Sequence, residues 1–247
     1  MCTLTIYSSK KRCVVTMNRD EQLGRAESGV LHSTTRGGIR LFHPVDLSAG
    51  GTWFGVNSRG VILALLNRYR SPHQQGRLSR GKIIPEALAQ GGFDDVRAWL
   101  SGRHYGDYNP FDLYLIAKKR QLQFSWDGNT LTRPALAFKR WYMVCSAAIQ
   151  DEEVRAFRRQ VFRGWSEEMG DKLNDADEIL RGYHLIQMPG MEARSVLMER
   201  PEAHTKSVIQ ADINGSQINL KYIPLVLEQP VDSPMQNAQI ETFSLQG

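Results

Sequence analysis

The residues best equipped for chemistry gather at the start of the chain. Cys2 stands directly behind Met1, and a dense polar cluster, Asn18-Arg19-Asp20-Glu21, closes the second of two apolar runs. Removal of Met1 would leave Cys2 with a free α-amino group on the same residue as its thiol. Reference pKa values are about 7.7–8.0 for an α-amine and about 8.5 for a thiol, so the amine can act as general base for a nucleophile in its own residue. In that arrangement Asp20 orients or holds the amine, and Asn18 donates to a developing oxyanion. The plainer reading of Cys2 is a small apolar residue on a strand face, and a cysteine at position 2 taken alone favours it.

Two strands must position this cluster. Cys2 to Tyr7 alternates at period two, Ser8-Ser9-Lys10-Lys11 is a polar turn, and Arg12 to Met17 is a second run; the pattern predicts a hairpin. With those four residues as the loop, Tyr7 pairs with Arg12, Cys2 falls opposite Met17, and Cys13 pairs with Ile6. Cys13 is then about 13 Å along the ladder from Cys2, too far for a disulfide. Cys2, Cys13 and Cys145 are the only cysteines, and none forms a C-x-x-C pair. That excludes zinc-ribbon and thioredoxin-type motifs and predicts free thiols in a reducing compartment.

The 247 residues, 41% hydrophobic and 23% charged, fit one domain over 1–247 with a large core. No apolar run reaches the roughly 18 residues of a membrane span. The N-terminus lacks the apolar core of a signal peptide, which predicts a cytoplasmic location. The formal charge is +5. The basic clusters Lys10-Lys11-Arg12 and Lys118-Lys119-Arg120 fall in expected hairpin turns without a nucleic-acid motif, which argues against a polynucleotide partner. A positive balance suits an anionic small molecule. The six histidines (His32, His43, His73, His104, His184, His204) show no ligand spacing, so no metal site is expected.

Downstream, short strands are expected near Val30–His32 and Ile39–Phe42. Gly50-Gly51-Thr52-Trp53-Phe54-Gly55 enters a strand, and Val61–Leu66 is a strongly apolar one ending in Asn67-Arg68-Tyr69-Arg70. Helices are expected over Gly81–Gln90 and Asp94–Leu100, a hairpin over Phe111–Ala117 and Gln121–Trp126, and a strand over Trp141–Cys145. From Asp151 to Met169 the period is helical, with Val154, Phe157, Val161 and Trp165 on one face; Arg155, Arg158, Arg159 and Arg163 read as solvated. A helix over Asn174–Arg181 is expected to stop at Gly182. Strands follow at Ser195–Glu199, Thr205–Asp212, Gln217–Tyr222 and Gln239–Leu245, with Asn214-Gly215 as a hairpin turn. Strands and helices in blocks, not alternating, predict an α+β fold of two mostly antiparallel sheets with helices on the outer faces.

These residues resemble a known family. Asn18-Arg19-Asp20-Glu21 is the motif that names the NRDE family, also called the transport-and-Golgi-organisation protein two family. Met1-Cys2, Gly50-Gly51-Thr52-Trp53 with Gly55, Arg59-Gly60, Asn67 and the tail Glu241–Gln246 are similar to it as well. The family in turn resembles the choloylglycine-hydrolase branch of the N-terminal-nucleophile hydrolases, through Met-Cys, Gly55–Gly60 and the strand ending in Asn67. The resemblance implies a four-layer α-β-β-α sandwich. It also implies Cys2 as nucleophile, Asp20 against its α-amine, and Asn67 near an oxyanion or ligand carbonyl. Two positions depart from the hydrolase pattern. Met17 replaces an arginine, for which Arg19 is a substitute from another position, and Ser146-Ala147 replaces a pair ending in an oxyanion asparagine. Losing one such donor typically costs about 2.7–4 kcal/mol in the transition state.

Two functions follow. One is a carrier whose hydrolase-like pocket, with Cys2, Arg19, Trp53, Asn67 and Ser146 as ligand contacts, binds an amphipathic anionic molecule. For it the resemblance implies haem, or an acyl-CoA or lipid; no cofactor is required. The other is an N-terminal cysteine hydrolase of amide or acyl thioester bonds, with Cys2, Asn18, Arg19, Asp20 and Asn67 as its machinery. The absent asparagine at Ala147 tilts the reading to the carrier.

Overall fold

The structure is a computed structural model that describes residues 2–69, 74–136, 140–148, 151–225 and 234–246. Met1, Arg70 and His73, named above, lie outside the described residues. Thirteen strands among the described residues form two antiparallel sheets. In the first, β10 (Trp141–Ser146) lies beside β1 (Cys2–Ser8), then β2 (Arg12–Gln22), β11 (Ala203–Asn214), β12 (Gln217–Pro224) and β13 (Gln239–Ser244). The second runs in sequence order: β3 (His32–Arg36), β4 (Ile39–His43), β5 (Phe54–Asn57), β6 (Ile62–Asn67), β7 (Phe111–Ala117), β8 (Arg120–Trp126) and β9 (Leu131–Thr132).

Period-two alternation decides which side chains meet. Leu4, Ile6, Val15 and Met17 from one sheet pack against Phe54, Ile62, Ala64 and Tyr114 from the other, giving the core between the sheets. The opposite face of the second sheet, through Leu63, Leu65 and Leu113, is covered by α1 (Ile83–Leu88) and α2 (Phe93–Gly102). The opposite face of the first sheet is covered by α3 (Asp151–Met169) and by α4 (Asp177–Ile179) with the π-helical turn Leu180–His184. The order of layers is helix, sheet, sheet, helix, as the element order and the resemblance predict.

Several local expectations are corrected. The first hairpin turns on Lys10-Lys11 alone: Ser9 N donates to Arg12 O at 2.8 Å, and Cys2 pairs with Arg19, Tyr7 with Val14 and Ser8 with Cys13. The register is therefore two residues away from the predicted one. A two-residue shift leaves every side chain on its expected face, so the core pattern survives while Cys2 moves from Met17 to the motif itself. Ser195–Glu199 is not a strand; it contributes only a bridge from Glu199 to His204. The helix after Asn174 does not stop at Gly182. Gly182 is a close-approach site: a Cβ there would sit 2.1 Å from Trp165 Nε1. The helix expected from Gly81 opens as a 3-10 turn, Arg80–Lys82. The lysine pairs of the two basic clusters, Lys10-Lys11 and Lys118-Lys119, do occupy the turns between β1 and β2 and between β7 and β8, while Arg12 and Arg120 open the strands that follow.

Candidate functional site

The motif at the end of β2 is split by the strand's alternation. Cys2 and Arg19 face the second sheet, at the end of the core formed by Leu4, Ile6, Val15 and Met17. Asn18 and Asp20 face the helical layer behind. Cys2, Arg19, Trp53 and Asn67 line one cavity of about 500 Å³ at the open end of the sheets. Ser146, the partner of Cys2 across β10, lines a second cavity of about 280 Å³. Asn67 lines both cavities and stands at their junction.

Cys2 is half-buried, whereas Cys13 and Cys145 are buried. Burial pushes the Cys2 thiol up to about 11; the charge of the chain's N-terminus and, more weakly, Arg19 oppose this, and Asp20 and Glu21 add to it. Arg19 is itself tied down. Its Nη1 donates to Glu27 Oε2 at 2.8 Å, Asp46 lies 3.4 Å and Glu21 4.0 Å from Nη2, and the guanidinium lies 4.4 Å from the centroid of the Trp53 ring. Glu27 is fixed in turn by the Tyr222 hydroxyl, at 2.6 Å. Arg19 thus forms one wall of the cavity with its charge already matched.

Behind the sheet, Asn18 is fully buried, and its amide donates to His184 O at 2.9 Å and Val196 O at 3.0 Å. Both amide hydrogens are used there, on the face away from the cavity, which leaves none for an oxyanion at Cys2. Asn18 Oδ1 meets His184 Nδ1, and His184 Nε2 lies 2.7 Å from Thr5 Oγ1. An amide oxygen only accepts, so Nδ1 carries the proton and Nε2 accepts from Thr5. Asp20 accepts from Thr205 Oγ1 at 2.7 Å and from Arg158 Nη1 at 2.8 Å.

Arg158 overturns the reading of the α3 arginines as a solvated face. It is fully buried, bonds Thr3 Oγ1 at 2.6 Å as well as Asp20, and keeps Nη2 without a partner among the described residues. Its fellows differ: Arg159 and Arg163 are exposed, and Arg155 is half-buried with Nε donating to Cys145 O at 2.8 Å. The signal was in the spacing. Val154, Arg158, Phe162 and Trp165 follow at steps of four, four and three, the stripe of one helix face. The chain carries no arginine at position 17, but Arg158 delivers a guanidinium to the same strand end from the helical layer.

Arg80 also escaped the sequence reading. It enters the Cys2 cavity from the 3-10 turn before α1, held there because Gly81 packs on the strand entry at Gly51-Thr52. Thr52 N donates to Gly81 O at 3.1 Å. Asn67 Nδ2 donates to Tyr69 Oη at 3.2 Å. Ser146 Oγ and Trp53 Nε1 are buried without a hydrogen-bond partner among the described residues, and Ala147, 1% exposed, offers no side-chain donor. Among the described residues no group of histidine, cysteine or carboxylate side chains could hold a metal ion, and no helix is long and apolar enough to cross a membrane.

The architecture is shared with solved hydrolases. The N-acylethanolamine-hydrolyzing acid amidase ortholog of Caenorhabditis elegans superposes with a TM-score of 0.59 at 12% identity, over 99% of this chain and 100% of that one. The C2A mutant of the conjugated bile acid hydrolase from Clostridium perfringens does so with a TM-score of 0.52 at 10% identity, over 100% and 97%. At such identities the likeness is one of fold, that of the N-terminal-nucleophile hydrolases. A comparison with curated protein sequences finds no match. The family model described as Transport and Golgi organisation 2 matches residues 1–207. With that match spanning the hairpin, the cavity residues and the helical layer behind them, this chain belongs to the Transport and Golgi organisation 2 family.

Proposed function

We propose that this protein binds an amphipathic anionic small molecule in the Cys2 cavity and carries it without multiple turnover. Haem is the leading candidate, and an acyl-CoA or other lipid acyl conjugate the next. The observation that carries the reading is the division of labour around Cys2. The cavity, at about 500 Å³, has the size of a small-molecule site, about 300–1,000 Å³, and is walled by Trp53, Leu65 and cationic side chains. Of the groups that would stabilise a reacting carbonyl only Asn67 lines the cavity; Asn18 is spent behind the sheet, and position 147 is alanine. Ground-state binding needs only the cavity, whereas turnover needs donors that act in the transition state.

For haem, Cys2 is the donor an iron would meet. None of the described histidines lines the cavity. The thiol, raised by burial, is protonated in the empty site, so ligation would release a proton. A hydrolase reading has its own support, in the placement of Cys2 at the open end of a fold shared with an acid amidase and a bile acid hydrolase. In that reading the Cys2 thiolate attacks the acyl carbon, the amine or thiol leaves with a proton, and water then releases the acid.

A paired test separates the two. Haem titration of wild type should give saturable binding with a shifted Soret band, weakened in Cys2→Ala. A panel of N-acyl amides and acyl thioesters should give at most one covalent turnover. Repeated Cys2-dependent turnover, with haem bound no better than by an unrelated basic protein, would replace the carrier with the hydrolase. An intact mass shows whether Met1 is removed, which the hydrolase reading requires.

A further inference from the structure

We infer that Arg80 selects the ligand of the Cys2 cavity, by taking a carboxylate or phosphate head group on its guanidinium. The inference rests on the cavity being a ligand site, and goes further by naming the group recognised and the residue that recognises it.

Five cations among the described residues line the cavity; Arg77 and Lys82 are exposed to solvent, and the charges of the three less exposed ones, Arg19, Arg25 and Arg80, are not equivalent. Arg19 is matched by Glu27, Asp46 and Glu21. Arg25 is matched by Asp46, at 2.6 Å, and Glu21, at 3.4 Å. Arg80 has no carboxylate within salt-bridge distance among the described residues, and its one hydrogen bond there runs from Nη1 to Pro110 O at 2.9 Å. A guanidinium has five N–H donors in a rigid fork, so most of this fork is unspent. The side chain is half-buried, where an unmatched charge is costlier than on the open surface. Burial accordingly lowers its pKa; Tyr69, Cys2 and Glu21 raise it and Arg25 lowers it further. Arg80 and Cys2 line the same cavity.

Its mounting is stiff. The backbone at Gly81 lies so near Thr52 that an added Cβ would sit 2.6 Å from both Thr52 N and Thr52 O. The backbone is thus fixed beside Arg80, the Pro110 bond holds one end of the guanidinium, and the side chain lines a cavity it shares with Trp53 and Leu65. An anionic oxygen pair is the complement of such a fork. A neutral analogue would leave Arg80 unmatched and lose affinity for that reason.

Alkylation of Cys2 reads this directly. Iodoacetate and iodoacetamide form the same C–S bond with loss of iodide, and differ in carrying or lacking a carboxylate. Rates at Cys2 are measured by peptide mass spectrometry and the iodoacetate/iodoacetamide ratio is normalised to N-acetylcysteine. In wild type at low salt the normalised ratio should be roughly three- to tenfold above one, from local concentration of the anion. It should fall towards one in Arg80→Gln, be largely kept in Arg80→Lys and in the remote Lys11→Gln, and fall in wild type at 0.5 M salt (a roughly 4 Å screening length). Protection by butyrate against protection by inorganic phosphate tells a carboxylate head group from a phosphate. A normalised ratio of one in wild type, or one unchanged by salt or by a folded Arg80→Gln, overturns the inference while leaving the cavity reading intact. Failure of either reagent to reach Cys2 would overturn both. The salt series needs no variant, and a ratio that does not move with salt overturns the inference even if Arg80→Gln does not fold; Arg80→Lys against wild type then tests the residue itself.

Discussion

Asp20 and Arg158 form an ion pair of 2.8 Å in which neither side chain has any exposure. One partner lies near the end of β2 and the other in the middle of α3, so the pair ties the motif to the helical layer. The satisfied part of the network is dense: Thr205 and Thr3 supply further bonds at 2.7 and 2.6 Å. Removing one partner of such a pair leaves an uncompensated buried charge and costs about 3–5 kcal/mol. Arg158→Met and Asp20→Asn should each lose about that much in denaturant unfolding. The double variant Asp20→Asn/Arg158→Met should be less destabilised than the sum of the two, because it removes both charges together. Additive losses would show that the two residues are not coupled.

Cys2 should be the first thiol to react. It is half-buried, whereas burial, aided by Asp212, holds Cys13 at about 12, and burial also raises Cys145. Its own thiol at about 11 is protonated at neutral pH, so the reactive thiolate grows tenfold for each pH unit. On chain that retains Met1, identified by intact mass, iodoacetamide labelling at Cys2 should climb with unit slope from pH 7 to 9.5, without a plateau near the reference value of about 8.5. First labelling at Cys13 or Cys145, or a plateau, would contradict the geometry.

Much of this arrangement could be read from local pattern, because local pattern is what built it. α3 runs over the predicted Asp151–Met169, and Gly215, at φ +63°, makes the turn between β11 and β12. What escaped depends on distant partners or on a turn's detail. The register of the first hairpin was set by Ser9 closing on Arg12, a choice that alternation cannot distinguish from a loop two residues longer. Arg158 was read as solvated because a charge usually is; its counter-ion is 138 residues away in sequence. Asn18 reads as an oxyanion donor from its place in the motif, although it points to the face opposite Arg19, its neighbour on the strand. Arg80 enters the cavity only because Gly51 and Gly81 let two backbones touch, a contact no periodicity announces.

His184 should make the fold acid-sensitive. Burial, and to a smaller degree Arg158, push its pKa down to about 3. The folded protein therefore keeps the ring neutral, while the unfolded chain takes up a proton near pH 6.5. Below that pH the unfolded state binds one more proton. Stability then falls by about 1.4 kcal/mol per pH unit until the folded-state value is reached. Between pH 6.5 and 5 this one group should remove about 2 kcal/mol. His184→Gln, which cannot titrate, should lose stability less steeply over the same interval, whatever its stability at pH 7. Parallel slopes for the two proteins would mean that the imidazole is not held neutral.

The Gly51–Gly81 contact should be as sensitive as any core position. An added Cβ at Gly81 lies 2.6 Å from Thr52 N and O, and one at Gly51 lies 2.7 Å from Gly81 C. Both obstacles are backbone, which cannot rotate away as a side-chain tip can. Gly81→Ala must separate the 3-10 turn from the strand entry and stretch the Thr52 N to Gly81 O bond. Overpacking of this kind costs about 1–3 kcal/mol. Because Arg80 and Trp53 flank the contact, the same substitution should change Cys2 labelling and lower the iodoacetate preference. Gly164 provides the contrast: it lies exposed within α3, and a Cβ there meets nothing within 4 Å. Gly164→Ala should stabilise the protein by about 0.5–1 kcal/mol through helix propensity and leave Cys2 labelling unchanged. Equal effects of the two alanines on stability and labelling would show that the approach of the two glycines does not shape the cavity.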